Sequence, residues 1–361
     1  MVETSKAAVF VGHDKPFEVQ EFRVPELEPG AVLIRMRMAA ICGTDAHAAH
    51  QANTPAPVIF GHENLGILAE ARGITHDVLG QPLKEGDRVF FRTAPCGKCF
   101  TCMMGERCMT SPRYGFLRAD QHPYLTGGFS QFVYVQPEPW LLRIPDTVSD
   151  ERALLAVIGN PVSMNGLERM GGIALGDTVV VQGSGPVGMG ALNQVRLVGA
   201  GRVIVIGAPA PRLALAKEMG ADEVIDIAEL RDPNERVERI LELCGGRGAD
   251  VVIECSGAPS AVEEGLKMVR YGGKYLVIGQ WTDYGPQPIN PATITRKALH
   301  VTGVYAAERR HTIRSLTAMD RLVQYPVERL ITHQFPLYEV NEAFAAHESL
   351  KAMVAVIRPN G

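Results

Sequence analysis

Residues 178–194 read TVVVQGSGPVGMGALNQ, an apolar strand running into Gly183, Gly185 and Gly188 at G-x-G-x-x-G spacing and then into a helix-forming segment. Each glycine has a distinct use in that setting. Gly183 permits the tight turn, Gly185 lets the backbone approach a pyrophosphate, and Gly188 lets the helix pack closely on the sheet. Ser184, Pro186 and Val187 fill the turn, and the helix that follows directs free N–H groups and the positive end of its dipole at the phosphates. Outward from this fingerprint, the strand-like runs RVIVIG (202–207), DEVID (222–226), DVVIEC (250–255) and KYLVIG (274–279) alternate with helix-length segments such as PRLALAKEMGA. Such alternation predicts a doubly wound parallel sheet covered on both faces.

Upstream the texture differs. From about Lys6 to Pro145, short apolar runs such as AVLIRMRMAAI and DRVFFR are separated by Gly, Pro and Asp turn signals, which predicts mostly β structure. Downstream of about Tyr305 the alternation stops, and a helical AERRHTIRSLTAMDRLVQ leads to LITHQFPLYEV and a final helix and strand. The expected division is residues 1–155, a second domain over 156–304, and a return to the first over 305–361. A chain of 361 residues is long enough for two cores.

Composition narrows the partners. A formal net charge of -4, without a long Lys/Arg run, gives no footprint for nucleic acid or an anionic membrane surface. No apolar run is long enough to span a bilayer, and the first residues carry Glu3 and Lys6 where a signal peptide is apolar. These features point to a cytoplasmic protein acting on a small molecule.

Cysteine is concentrated: Cys96, Cys99, Cys102 and Cys108 stand as C-x2-C-x2-C-x5-C. In a reducing compartment that spacing suits a closed tetrahedral Zn²⁺ stapling an irregular loop. A second donor set lies earlier. Cys42 in AAICGTDAHAAH and His62 in IFGHENLG pair a soft thiolate with an imidazole, as a catalytic zinc with an open position requires, and Glu63 adjoins them as an alternative ligand.

The order of CGTD (42–45), GHE (61–63), GDRV (86–89), the four-cysteine loop, GGFSQFV (127–133) and the Gly183–Gly188 fingerprint resembles the zinc-containing medium-chain dehydrogenase/reductase superfamily along essentially the whole chain. The resemblance implies a GroES-like β-rich catalytic domain, a Rossmann domain interrupting it in sequence, and a substrate cleft between them. It implies zinc-dependent hydride transfer between a nicotinamide and an alcohol or ketone, with a secondary alcohol or polyol-like substrate, and a homo-dimer or homo-tetramer. Cys42 and His62 would bind catalytic zinc, Thr44 would hold the substrate hydroxyl, His47 would pass its proton to solvent, and Asp45 would orient the ligands.

Three departures stand out. The last interval of the cysteine cluster is two residues shorter than is usual. Gly207 replaces the acid that selects NAD, and only Arg212, five residues on, offers a partner for a 2′-phosphate; NAD(H) is expected, with NADP(H) left open. The third zinc ligand should fall within LLAVIGNPVSMNGL (154–167), where alignment places Ile158 or, two residues on, Asn160, a weak neutral donor. That gap keeps two rival readings open. One is a zinc-free reductase of an activated double bond, quinone or imine that retains only the structural zinc, and the other is a non-enzymatic interaction protein using the four-cysteine lobe.

Overall fold

The computed structural model describes residues 2–361, which divide into two units: residues up to 154 with 330–361, and residues 155–329. In the first, alternating apolar residues build an open sheet of strands Ile331–Pro336, Val354–Arg358, Val32–Ala40, Glu63–Ala71, Arg88–Arg92 and Trp140–Arg143, in that order, with Phe132–Val135 also paired to Val32–Ala40. The strand Val32–Ala40 buries both its ends and exposes only Arg35 and Arg37, as a half-covered sheet dictates. C-terminal residues complete this unit. Val354–Arg358 pairs antiparallel with Val32–Ala40 through Val356 and Ile357, and the carbonyl of Ala355 accepts from the Ile41 N–H at 2.9 Å. That bond fixes the chain one residue before Cys42.

Beneath lies an aromatic core. Phe10 stacks on Phe60 at 5.2 Å, and Phe129 and Phe344 meet edge to face at 6.0 Å. Buried rings of this size supply much of the apolar area that holds the loops around residues 58–62.

The second unit is an all-parallel six-stranded sheet ordered Glu223–Asp226, Arg202–Gly207, Thr178–Gln182, Ala249–Glu254, Val269–Val277, His300–Gly303. Its central strands are buried along most of their length and apolar in their interiors, with polar residues at their ends, because helices cover both faces. The Rossmann order and the β-rich first unit agree with the fold read from sequence.

The second boundary does not. It falls at Arg329/Leu330 rather than at 304/305. Strand alternation ends near Tyr305, but the helix Arg309–Met319 still packs on the helix Asn160–Arg169. Buried His311 meets Glu168 at 3.1 Å, Arg314 donates to the same carboxylate at 2.9 Å, and Asn165 donates to the Ala306 carbonyl at 2.8 Å. These long-range polar contacts keep the segment with the second unit, and hydrophobic periodicity does not register them.

Candidate metal and dinucleotide sites

Cys42 precedes the short helix Gly43–Ala49, and His62 immediately precedes the strand Glu63–Ala71, which Glu63 opens. Gly61 sits at φ +94, and a Cβ there would lie 2.9 Å from the Phe129 backbone nitrogen, so the turn that presents His62 requires glycine. Ligand atoms of Cys42, His62 and Glu63 all lie within 4.8 Å of one another.

Asp45, wholly buried, ties the two segments together. One carboxylate oxygen accepts from the Cys42 backbone N–H at 3.0 Å, and the other meets His62 Nδ1 at 3.1 Å. The second contact leaves His62 Nε2 as the nitrogen available to a metal. Burial would lower the His62 pKa, but the Asp45 carboxylate and its hydrogen bond outweigh it and hold the imidazole well above its ordinary value. Burial, reinforced by Glu63, raises the Cys42 thiol, and burial raises the Glu63 carboxyl to about 7 against the lowering pull of His62. Burial thus favours the protonated thiol and carboxyl in the metal-free protein, and a divalent cation would compete with those protons for the same donors.

A thiolate, an imidazole nitrogen and a carboxylate oxygen are a donor set suited to zinc, and three protein ligands leave one position open. Thr44 follows closely, its hydroxyl 3.7 Å from the Cys42 sulfur. His47 lies one helical turn further on, exposed, with its pKa lowered by partial burial and by His50.

Asn160 has other work. Its amide nitrogen donates to the Leu155 carbonyl at 2.9 Å, and its oxygen accepts from Gln194 at 2.8 Å. The carboxamide fastens the start of the helix Asn160–Arg169 inside the second unit, and the donor cluster forms without it. Ile158 is buried and apolar.

The four cysteines converge as their spacing predicts. Cys96 and Cys102 sulfurs are 4.0 Å apart, Cys99 and Cys108 are 3.9 Å apart, and backbone N–H groups of Cys96 and Cys99 point at Cys108 and Cys96 sulfurs. The Thr101 hydroxyl and the Cys102 backbone hold the Cys99 thiol below its ordinary value, whereas burial and neighbouring thiols push Cys102 up. Phe100 and Met103, on the one-turn helix of this lobe, are 78% and 74% exposed. A lobe with its large apolar groups in solvent has no core of its own, which fits a metal staple.

In the second unit the fingerprint forms the predicted turn. Gly185 caps the helix Pro186–Leu197 without a side-chain cap, and nothing lies within 4 Å of a Cβ placed on it, leaving space for a phosphate at the bare N-terminus. A Cβ on Gly188 would instead lie 2.8 Å from the Gly183 carbonyl carbon. Gly207 ends the next strand, and Arg212 stands in the first turn of the helix Ala210–Glu218.

Three features escaped the sequence reading. Phe116 packs on the His62 ring at 5.4 Å under Arg113, whose guanidinium sits 4.1 Å above Phe116. Arg92, at the end of its strand, lowers the pKa of Glu63 through its charge. Glu254, wholly buried at the end of a central strand, accepts from the N–H groups of Ser256, Gly257 and Gly279 and so joins two loops at the carboxyl end of the sheet. Only its place after an apolar strand hinted at this.

A zinc-type donor trio with an open position, a four-thiol staple and a dinucleotide cradle define a metal-dependent, nicotinamide-linked oxidoreductase. Residues 28–146 match the alcohol dehydrogenase GroES-like domain, and residues 186–323 match the zinc-binding dehydrogenase domain. The chain is 32% identical over 365 residues to 5-exo-hydroxycamphor dehydrogenase of Pseudomonas putida, covering 99% of this chain and 98% of that one. It is 31% identical to human sorbitol dehydrogenase, over 90% of this chain and 88% of that one. An alcohol dehydrogenase structure from Thermotoga maritima superposes with a TM-score of 0.93 at 30% identity, covering 99% of this chain and all of that one. The chain belongs to the zinc-containing medium-chain dehydrogenase/reductase superfamily. It is an NAD(P)-dependent oxidoreductase of the alcohol and polyol type, which sets aside the reading as a non-enzymatic interaction protein.

Proposed function

We propose that this enzyme interconverts a secondary alcohol and its ketone by hydride transfer with a nicotinamide, using Cys42, His62 and Glu63 to hold a catalytic zinc and Cys96, Cys99, Cys102 and Cys108 to hold a structural one. The observation that carries this reading is the convergence of three unlike donors on one point with Asp45 fixing two of them. When bound, zinc supplies Lewis acidity toward the substrate oxygen and the nicotinamide supplies the hydride acceptor.

The chain's own groups manage the proton. Thr44 positions the hydroxyl and takes its hydrogen, and His47 releases it to water. With its pKa held below the ordinary imidazole value, His47 is neutral near pH 7 and ready to accept. Gly183–Gly188 cradle the pyrophosphate against the bare helix N-terminus, and Gly207 and Arg212 border the adenosine end. Hydroxycamphor and sorbitol, in the names of the two relatives, both carry hydroxyl groups, which supports an alcohol as substrate.

A cytoplasmic location belongs to this reading, because the four-cysteine cluster is read as a metal site rather than a disulfide framework, and among the described residues no helix is long and apolar enough to cross a membrane. A homo-dimer or homo-tetramer belongs to the same reading. Its test is a panel of secondary alcohols and polyols with NAD⁺ and NADP⁺, followed by nicotinamide absorbance and paired with metal analysis. Turnover of an alcohol that disappears when metal is removed and returns with zinc supports the proposal. Turnover of an activated double bond by protein holding only the lobe zinc would replace it with the zinc-free reductase.

A further inference from the structure

Gly207 has no left-handed φ, so its torsions alone would admit an L side chain. Contact forbids one. A Cβ at this position would lie 2.6 Å from the Ser184 Cβ and 2.8 Å from the Ser184 backbone nitrogen, with the Ser184 hydroxyl oxygen nearer still. Ser184 is only 3% exposed, and its hydroxyl donates to the Ala208 carbonyl at 2.9 Å. Turning the side chain away would break that bond and leave a part-buried carbonyl without this donor.

We propose that Ser184, the second residue of the fingerprint, determines coenzyme specificity by keeping position 207 free of any side chain and so denying that position a carboxylate that would reject a 2′-phosphate. The inference rests on the reading of Gly183–Gly188 as a dinucleotide cradle. Beyond Gly207 the chain continues Ala-Pro-Ala-Pro, and the helix Ala210–Glu218 has no acidic residue in its first turn. Residues 207–212 therefore offer a 2′-phosphate no negative charge, Arg212 contributes a cation, and the carboxylate beside Gly207, that of its strand partner Asp226, is engaged by the Ala228 N–H at 2.8 Å. Specificity against a phosphorylated coenzyme needs a repulsive element, and Ser184 occupies the space from which one would be presented.

Ser184 acts through its neighbour, so the test is a coupling between two positions. Kd values for NAD⁺ and NADP⁺ would be measured by calorimetry, with Tm, for the wild type, Gly207→Asp, Ser184→Gly and the double variant. NADP⁺ should bind the wild type within about tenfold of NAD⁺ or better. Gly207→Asp alone should weaken both nucleotides and lower Tm, since the new side chain pushes on the fingerprint turn. Adding Ser184→Gly should restore NAD⁺ binding and Tm and leave NADP⁺ at least about a hundredfold weaker.

Three outcomes would overturn the proposal: a wild-type preference for NAD⁺ above about a hundredfold, a Gly207→Asp variant that selects NAD⁺ with no loss of affinity or Tm, or a double variant no better than Gly207→Asp. If Gly207→Asp fails to fold, Gly207→Ala replaces it. Recovery of its lost Tm by Ser184→Gly supports the coupling, and no recovery refutes it. Failure of the wild type to bind either nucleotide would instead refute the cradle itself.

Discussion

The two donor clusters of the first unit are built in opposite ways. In the lobe, all four thiols arrive from one short loop, the flanking Phe100 and Met103 face solvent, and three of the four cysteines are only half-buried. At Cys42, His62 and Glu63, the donors come from two segments held by sheet pairing, by the Phe60 and Phe129 core, and by a buried Asp45. A site that its fold already holds can give up its metal and keep its shape, whereas a site that is only its donors cannot. Metal at the lobe should therefore govern stability, and metal at Cys42 should govern chemistry.

The largest effect should come from removing the thiolate of the preformed site. Cys42→Ala is expected to lower kcat/KM by roughly 10³-fold or more while Tm and lobe zinc stay near wild type. A variant losing Tm and activity together would erase the contrast between the clusters. Asp45→Asn should come next. The amide turns a donor toward the Cys42 N–H or the His62 ring, and zinc affinity at this site should fall by about 10- to 100-fold in a competition titration. Unchanged affinity would mean that Asp45 is only a helix cap.

Cys99→Ser tests the other side. Loss of zinc from the lobe should lower Tm by roughly 5–10 °C, as expected when about 2–3 kcal/mol leaves a unit of this size, with kcat per folded molecule nearly unchanged. An unaltered Tm with full zinc content would reject the staple.

The smallest effect is on pH. Cys42, Glu63 and the imidazolium of His62 must each lose a proton to coordinate, so apparent zinc affinity at this site should fall as pH drops, with Glu63 adding its share through about 7. The linkage has a second sign. In the metal-free protein, Glu63 titrates above its ordinary 4.5, so its contribution to folding is fully present below about 4.5 and is lost as pH rises through about 7. Metal-free protein should therefore lose some stability between pH 5 and about 7 relative to the zinc-loaded form, measured by Tm at each pH. A flat difference would place the titration elsewhere.

What the sequence made legible follows the same division. The lobe could be read from spacing alone, because Cys96 to Cys108 are neighbours in the chain. The fingerprint could be read because Gly183 to Gly188 lie between a strand and a helix with matching periods. Cys42, His62 and Glu63 needed the resemblance, since nothing local says that residues twenty apart share a point. Asn160 was placed by alignment as a weak ligand, and its bonds to Leu155 and Gln194 reveal a helix-start fastener. Phe116 against His62 and Glu168 beneath His311 depend on three-dimensional packing that no period encodes. The same holds for Ser184 over Gly207. The missing acid was visible in the sequence, but the side chain that excludes it was not.

The central claim is that one chain holds two zinc sites of different kinds, and zinc counting tests it most directly. Wild-type protein should carry about two zinc ions per chain, a chelator should remove one of them quickly with loss of activity but little change in Tm, and Cys42→Ala should carry about one. A fully active protein with a single zinc, retained unchanged in Cys42→Ala, would contradict the account.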